Sequence, residues 1–400
     1  MACALHPRLA RGPPRAWRRL TVYPDRFRIA CSLLDLRGTC SVPAPRVAMT
    51  TLRNPFSHCA SGGPGERAPR PVNRINSMPE YPHLSRVIAE AGRCAPLTTA
   101  VAMPTEPTAL QGALDAAHAG LMAPILVGPR GSIARAARAA GADLSGYRIA
   151  DTADGGPCAA AEAVRLCMAG EAEAIMKGAL HTHELMHEVF TSALRTLRRA
   201  SHVFVVDVPG FPRPLIVTDA AVNIAPGIEE KLHIIQNAVD LAQAISIDVP
   251  RIALLSAVET VSEQVKSTVE AAQLRDIALH GGVSGAIVDG PLSLDLALSD
   301  EAARIKGVYS PVAGCADILV VPSLESGNFL YKAMIYLARA EGAGIVLGAR
   351  APIILTSRAG SVLGRIASCA LALLYTRRVA AARNANEPAV HADQLARPRA

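Results

Sequence analysis

A chain of 400 residues and 41.8 kDa is too long for one small core and suits two lobes. Half of the residues are hydrophobic but only 4% are aromatic, so the interior must be aliphatic, and Ala-rich stretches alternating with β-branched runs favour an α/β protein over a sandwich. The formal charge of +7 does not argue for nucleic acid: residues 1–77 hold 13 arginines, no lysine and three acids, a local balance of +10 that leaves the remainder at −3.

Residues 1–78 form an Arg/Pro-rich extension with no sustained helical or strand period, expected to be disordered or mis-started. An acid-poor transit peptide, a basic tail and upstream sequence read from an early start all fit it, with Met49 and Met78 as later starts. From residue 79 the pattern predicts strands at 98–102, 123–128, 173–177, 202–208, 214–218, 251–256, 284–288, 317–321, 344–347 and 352–356. It predicts helices at 82–93, 108–120, 131–141, 157–170, 183–197, 229–245, 263–279, 299–306, 327–341 and 361–376. The alternation implies mostly parallel strands with helices on both faces, and Asp207–Pro212 reads as a turn between two strands. A first lobe is expected over 79–200, completed by 340–378, a second over 201–339, and a flexible tail at 379–400. Nine scattered cysteines with no CxxC pair read as reduced thiols of a cytoplasmic protein. The apolar stretches 343–356 and 366–375 are too short to span a membrane, so no membrane partner is expected.

Ligands of open α/β sheets sit where strands give way to helices. Three such junctions are dense in polar residues. At Met176–Thr182, Lys177 ends a strand, Gly178 allows close backbone approach and Thr182 is placed to cap a helix; an anion site and an ordinary cap fit equally. At Val321–Asn328, Ser326, Gly327 and Asn328 open a helix and offer donors, or serve only as caps. At Ile354–Ser361, Arg358 follows a buried strand, where a guanidinium is costly unless it meets an anion, and Ser357 would complete a phosphate cradle. His183-Glu184-Leu185-Met186-His187 fits the zinc pattern His-Glu-x-x-His but lacks a third ligand, and Asp289, Asp295 and Asp300 suit turns and caps, so no metal is expected.

Taken together, the junctions resemble the phosphate acetyltransferase and phosphate butyryltransferase family over roughly 82–376. The likeness is carried by Ala172–Gly178 with His181-Thr182, Thr218–Pro226, Ala257–Val261, Val288–Leu292, Ser310–Gly314 and Thr356-Ser357-Arg358. The resemblance implies a two-lobed α/β fold on the scaffold of isocitrate and isopropylmalate dehydrogenases, with a cleft between lobes. It implies a cytoplasmic homodimer that moves a short acyl group, acetyl or butyryl, between coenzyme A and phosphate, without a metal or a tightly bound cofactor; the coenzyme A thioester is a substrate. It places Ser357 and Arg358 at the acyl phosphate, and Lys177, His181 and Thr182 in the same cleft.

The sequence also departs from the family pattern. Where the acetyl branch has a carboxylate seven residues beyond the serine, this chain has Gly364, and Gly360 stands where the butyryl branch shows an aspartate. The general base is left unassigned by these changes, and His181 is the choice on its ordinary pKa. A catalytically weakened protein that only binds coenzyme A or acyl phosphate is the alternative. An oxidoreductase is disfavoured by the lack of a Gly-x-Gly-x-x-Gly motif.

Overall fold

Short aliphatic runs become strands, and the longer amphipathic stretches between them become helices, over residues 80–355 and 360–386, which are those described by the computed structural model. The extension 1–78 lies outside the described residues, as do 387–400 of the expected tail. In chain order the elements are α1 (Pro82–Ala91), β1 (Leu97–Ala102), α2 (Pro107–His118), β2 (Met122–Gly128), α3 (Arg130–Ala140), β3 (Arg148–Asp151), α4 (Gly156–Met168), β4 (Ala174–Lys177) and α5 (Thr182–Thr191). There follow β5 (Ser201–Asp207), β6 (Leu215–Thr218), α6 (Ile228–Ala244), β7 (Arg251–Leu255), α7 (Lys266–Ile277), β8 (Ile287–Leu292), α8 (Leu294–Leu298) and α9 (Asp300–Lys306). The chain ends with β9 (Ile318–Val320), α10 (Leu324–Tyr336), β10 (Glu341–Leu347), β11 (Ile353–Ile354) and α11 (Val362–Asn386).

The strands join in one sheet of order β3-β2-β1-β4-β11-β10-β5-β6-β9-β7-β8. From β3 to β11 neighbours are parallel, and so are they from β6 to β8. Between these sets β10 runs against β11 and against β5, and β5 runs against β6, through the turn in which Phe211 N–H donates to Val208 O. Three reversals therefore leave the two parallel sets pointing in opposite directions.

Helices cover both faces, as expected for buried parallel strands. One face carries α1, α2, α3, α6, α7 and α11 on Leu97, Val101, Val203, Val205 and Ile345. On the other face α4 and α5 cover the β1–β4 side, and α8, α9 and α10 cover the β6–β9 side. Alanines 159, 160 and 163 of α4 are fully buried and bring that helix close to the sheet. Among the described residues no helix is long and apolar enough to cross a membrane.

Asp207 ties the sheet to the start of the described chain. It is fully buried at the end of β5, and its Oδ2 accepts the N–H groups of His83 (2.7 Å) and Leu84 (3.0 Å) in the first turn of α1. That helix has no side-chain cap at Tyr81, so a carboxylate over 120 residues away satisfies its exposed donors. Asp207→Ala is expected to lower stability by ~1–3 kcal/mol in urea denaturation, and Asp207→Asn, which keeps one acceptor, by less.

Candidate active site

Two ends of the sheet carry the polar chemistry. At the first, β4 finishes with Lys177 beside Ala102 of β1, and β11 pairs Ile354 with Met176. The chain turns sharply there, as Gly178 N–H donates to Ala102 O (2.8 Å) and Ala179 N–H to Met103 O (2.7 Å). A Cβ on Gly178 would lie 2.6 Å from Ala102 O and closer still to Met103 O, so a side chain cannot be fitted between the strands. Lys177 is half-buried and its Nζ donates to the carbonyls of Gly178 (3.0 Å) and Leu180 (3.1 Å), which fixes the ammonium over its own loop.

His181, not Thr182, occupies the cap position of α5, with extended backbone and its N–H donating to Glu184 Oε2 at 2.8 Å. Thr182 is the first helical residue; both side chains are exposed, and the His181 ring stacks on His183 with centroids 5.5 Å apart. Glu184 is thus engaged at the helix start. Among the described residues no group of three or more His, Cys, Asp or Glu is placed to hold a metal ion. Ser357 and Arg358 belong to Thr356–Ala359, outside the described residues; they follow β11 directly in sequence.

The structure does not bring the Ser326 junction to this end. It follows β9, which runs opposite to β4, so the two helix starts lie at opposite ends of the sheet. Ser323 and Ser326 cap α10 together, with Ser326 Oγ donating to Ser323 O at 2.8 Å. Gly327 packs on Ala220 and Val321, where a Cβ would come within 3.0 Å of both, and Asn328 Nδ2 donates to Ala220 O at 3.3 Å. Gly327 and Asn328 clamp α10 onto the loop that follows β6, and Ser326 only caps the helix.

That second end holds a cavity of ≈ 1010 Å³, as large as small-molecule sites become. Arg195, Arg198, Arg199 and Arg350 line it with His233, opposed by Glu229 and Glu230, while Met186, Phe190, Ala200 and Val222 form an apolar wall. Its frame is fixed by hydrogen bonds. Arg350 N–H donates to Leu194 O (2.8 Å), and Asn237 Nδ2 donates to Arg199 O (3.0 Å) and Ser201 Oγ (2.8 Å). Asp219 gathers the loop after β6: Oδ1 accepts from Ala221 N (3.0 Å) and Val222 N (3.1 Å), and Oδ2 from Asn223 N (3.0 Å) and Nδ2 (2.6 Å). Burial pushes the Asp219 pKa up against these bonds, which pull it down. Asn223 Oδ1 in turn accepts Arg199 Nε at 2.8 Å, and Glu230 pairs with the same guanidinium at 3.3 Å. Arg198 pairs with Asp240 on α6; among the described residues Arg195 and Arg350 have no ion-pair partner. A cavity with this much fixed positive charge beside an apolar wall suits a ligand with several anionic groups and an organic body.

Reading strand-to-helix junctions finds Lys177 but misses the cavity arginines, because Arg195–Arg199 precede a strand. The cationic run Arg195-Thr196-Leu197-Arg198-Arg199 was the available signal. The glycine at 364 also gains an explanation. A Cβ there would lie 2.5 Å from Gly342 O and 2.8 Å from Glu341 Oε1, so the carboxylate of Glu341, half-buried at the start of β10, fills the space a side chain would need.

Comparison with known proteins identifies the family. A family-wide sequence profile described as "Phosphate acetyl/butaryl transferase" matches residues 158–373. The chain is 54% identical to a phosphate acetyltransferase of Rhizobium meliloti, over 74% of this chain and 94% of that one. It is 41% identical to a phosphate butyryltransferase of Clostridium beijerinckii, over 70% and 93%. Among solved structures it is similar to a branched-chain phosphotransacylase of Enterococcus faecalis, with TM-score 0.60 and 31% identity over 70% of this chain and 99% of that one.

Gly178→Ala tests the first junction. Contact with two backbone oxygens forces β4 away from β1, with an expected loss of ~1–3 kcal/mol in stability, read by thermal denaturation.

Proposed function

We infer that this chain, which belongs to the phosphate acetyl/butyryl transferase family, catalyses the reversible reaction of a short-chain acyl-CoA, acetyl or butyryl, with phosphate to give acyl phosphate and coenzyme A. The observation that carries the reading is the arginine-lined cavity: coenzyme A is a polyanionic nucleotide joined to a long organic arm, and the cavity offers several guanidinium groups beside an apolar wall. The enzyme acts in the cytoplasm with no tightly bound cofactor, the thioester being a substrate; the unpaired state of the five described cysteines supports a reducing compartment.

In the acyl-phosphate-consuming direction, a base takes the thiol proton of coenzyme A and the sulfur attacks the acyl carbonyl carbon. The tetrahedral intermediate then collapses, breaking the carbon–oxygen bond to phosphate, which departs with its electron pair. Arg358 stabilises the negative charge on the intermediate and the leaving phosphate, and Ser357 donates to the carbonyl oxygen. Lys177, held over its loop, adds fixed positive charge at the end of β4, with Thr182 and His181 at the adjacent helix start. Glu341 is the base: β10 carries it beyond the end of β11, and its carboxylate stands in the space that a side chain at position 364 would fill. The cleft is floored by the strands that link the two lobes, 79–200 with 340–378 and 201–339.

The active unit is a homodimer. Phe329, Tyr336 and Leu337, each more than 70% exposed, recur at helical spacing along α10 and its end, and a second copy would cover this apolar stripe.

Phosphate-dependent thiol release from acetyl-CoA and butyryl-CoA by the purified chain tests the function; coenzyme A binding with no turnover on either would overturn it. Arg358→Ala is expected to reduce kcat by ~10²–10³. Glu341→Gln should lower kcat by ~10²-fold or more and remove one limb of its pH profile, whereas the same loss in His181→Ala with an unaltered Glu341→Gln would move the base to His181. Leu337→Glu is expected to shift the mass measured by light scattering from dimer to monomer.

A further inference from the structure

Polar residues of α6 recur at 230, 233, 237 and 240, steps of three and four that put them on one face of the helix. All four engage the dipeptide Arg198-Arg199. Glu230 pairs with the Arg199 guanidinium at 3.3 Å and Asp240 with that of Arg198, while Asn237 Nδ2 donates to Arg199 O at 3.0 Å. His233 Nδ1 accepts the Arg199 N–H at 3.2 Å. Both carboxylates of this stripe have both oxygens engaged, since Glu230 Oε2 also accepts Gly227 N–H (3.0 Å) and Asp240 Oδ1 accepts Gln236 Nε2 (3.2 Å). His233 is engaged on one nitrogen. It is half-buried and lines the cavity, and its Nε2 has no hydrogen-bond partner among the described residues and is not sealed from solvent.

The bond at Nδ1 limits what Nε2 can do. A nitrogen that accepts an N–H carries no proton, so the neutral ring bears its proton on Nε2 and presents a fixed donor there. A donor can neither ligate a metal nor act as a general base. It suits an acceptor, and the oxygens of an ionised phosphate are strong acceptors. Net charge is a weak guide on this wall of the cavity, because Glu230 and Asp240 offset Arg199 and Arg198, so recognition there falls to directional donors. We propose that His233 binds coenzyme A by donating Nε2–H to a phosphate oxygen of its nucleotide end, a role that rests on the cavity holding that end. The backbone against which the ring is held belongs to the arginine that Asn223 orients, so imidazole and guanidinium are fixed relative to each other.

Two amide variants separate ligand binding from support of the backbone. In His233→Asn the amide sits where Nδ1 was, so the bond to Arg199 N–H survives and the donor at Nε2 is lost. In His233→Gln the longer side chain returns an N–H to the place of Nε2. Calorimetric titration of the full chain with coenzyme A should show the Kd raised about 10-fold or more in His233→Asn, the loss of one hydrogen bond to a charged group, and within about 3-fold of the unaltered protein in His233→Gln. Dephospho-coenzyme A, titrated in parallel, locates the contact: a loss for coenzyme A alone assigns it to the 3′-phosphate, an equal loss for both to the diphosphate, and either supports the proposal. An unchanged Kd in His233→Asn, or a loss in His233→Gln at least as large, would overturn it. A crystal structure of the unaltered chain with coenzyme A needs no variant to fold: a phosphate oxygen should lie within hydrogen-bond distance of Nε2, and an Nε2 that meets only water sinks the idea. Arg199→Ala reports on the cavity itself. If it weakens coenzyme A while His233→Asn does not, the histidine contact fails and the cavity reading stands; if it leaves coenzyme A affinity unchanged, the cavity reading fails and the contact with it.

Discussion

The antiparallel ladder between β5 and β10 sets the geometry of everything else. It runs seven residues, from Glu341 opposite Asp207 to Leu347 opposite Ser201, and sits between two sets of parallel strands. Because it reverses strand direction an odd number of times with its neighbours, the carboxyl ends of β4 and β11 gather at one end of the sheet and those of β6, β7 and β9 at the other. In a uniformly parallel sheet all helix starts would share one rim and could converge on one small anion. Here they form two rims, which suits a ligand with charge at one end and reacting atoms at the other.

Positive charge at the cavity end is held in place by a relay of neutral and acidic groups. Asp219 binds the backbone of its own loop, that loop presents Asn223, and Asn223 holds the Arg199 guanidinium. Each step spends hydrogen-bond acceptors on protein donors, so the arginine reaches the cavity already oriented. An arginine fixed in this way loses less side-chain entropy when an anion arrives than one free on the surface. Arg195 and Arg350 are placed instead by backbone, through the Arg195–Ala349 bridge and the Arg350 N–H to Leu194 bond.

Most of the fold was legible because strands and helices here differ in composition. The run at 98–102 is β1 at 97–102, and 131–141 is α3 at 130–140. β3 was missed because Arg148-Ile149-Ala150-Asp151 is an edge strand with polar ends and no β-branched run. β8 begins three residues later than expected and continues through Asp289-Gly290-Pro291, which in sequence reads as a turn. α5 stops at Thr191 rather than 197, with Ser192 extended, and α11 continues to Asn386 because nothing in 377–386 breaks a helix. The site was less legible for a different reason. Lys177 and Gly178 are neighbours in sequence, so a junction reveals them, whereas the cavity joins residues 195–200, 222–233 and 350, which share no local pattern.

Glycine at 364 shows how far a position-by-position reading can mislead. By sequence the chain has lost a carboxylate there, and with it the obvious proton acceptor. Space accounts for the glycine. The helix comes so close to β10 that a side chain at 364 would strike Gly342 O and the Glu341 carboxylate. The backbone oxygen of Gly342 therefore excludes a side chain at 364 in this packing, and the Glu341 carboxylate lies in the space left beside the glycine. Proton transfer depends on where an oxygen is and which groups surround it, not on the segment of chain that delivers it. A carboxylate supplied from β10 is also more firmly held than one on the first turn of a helix, since the backbone beneath it is locked in the seven-residue ladder with β5.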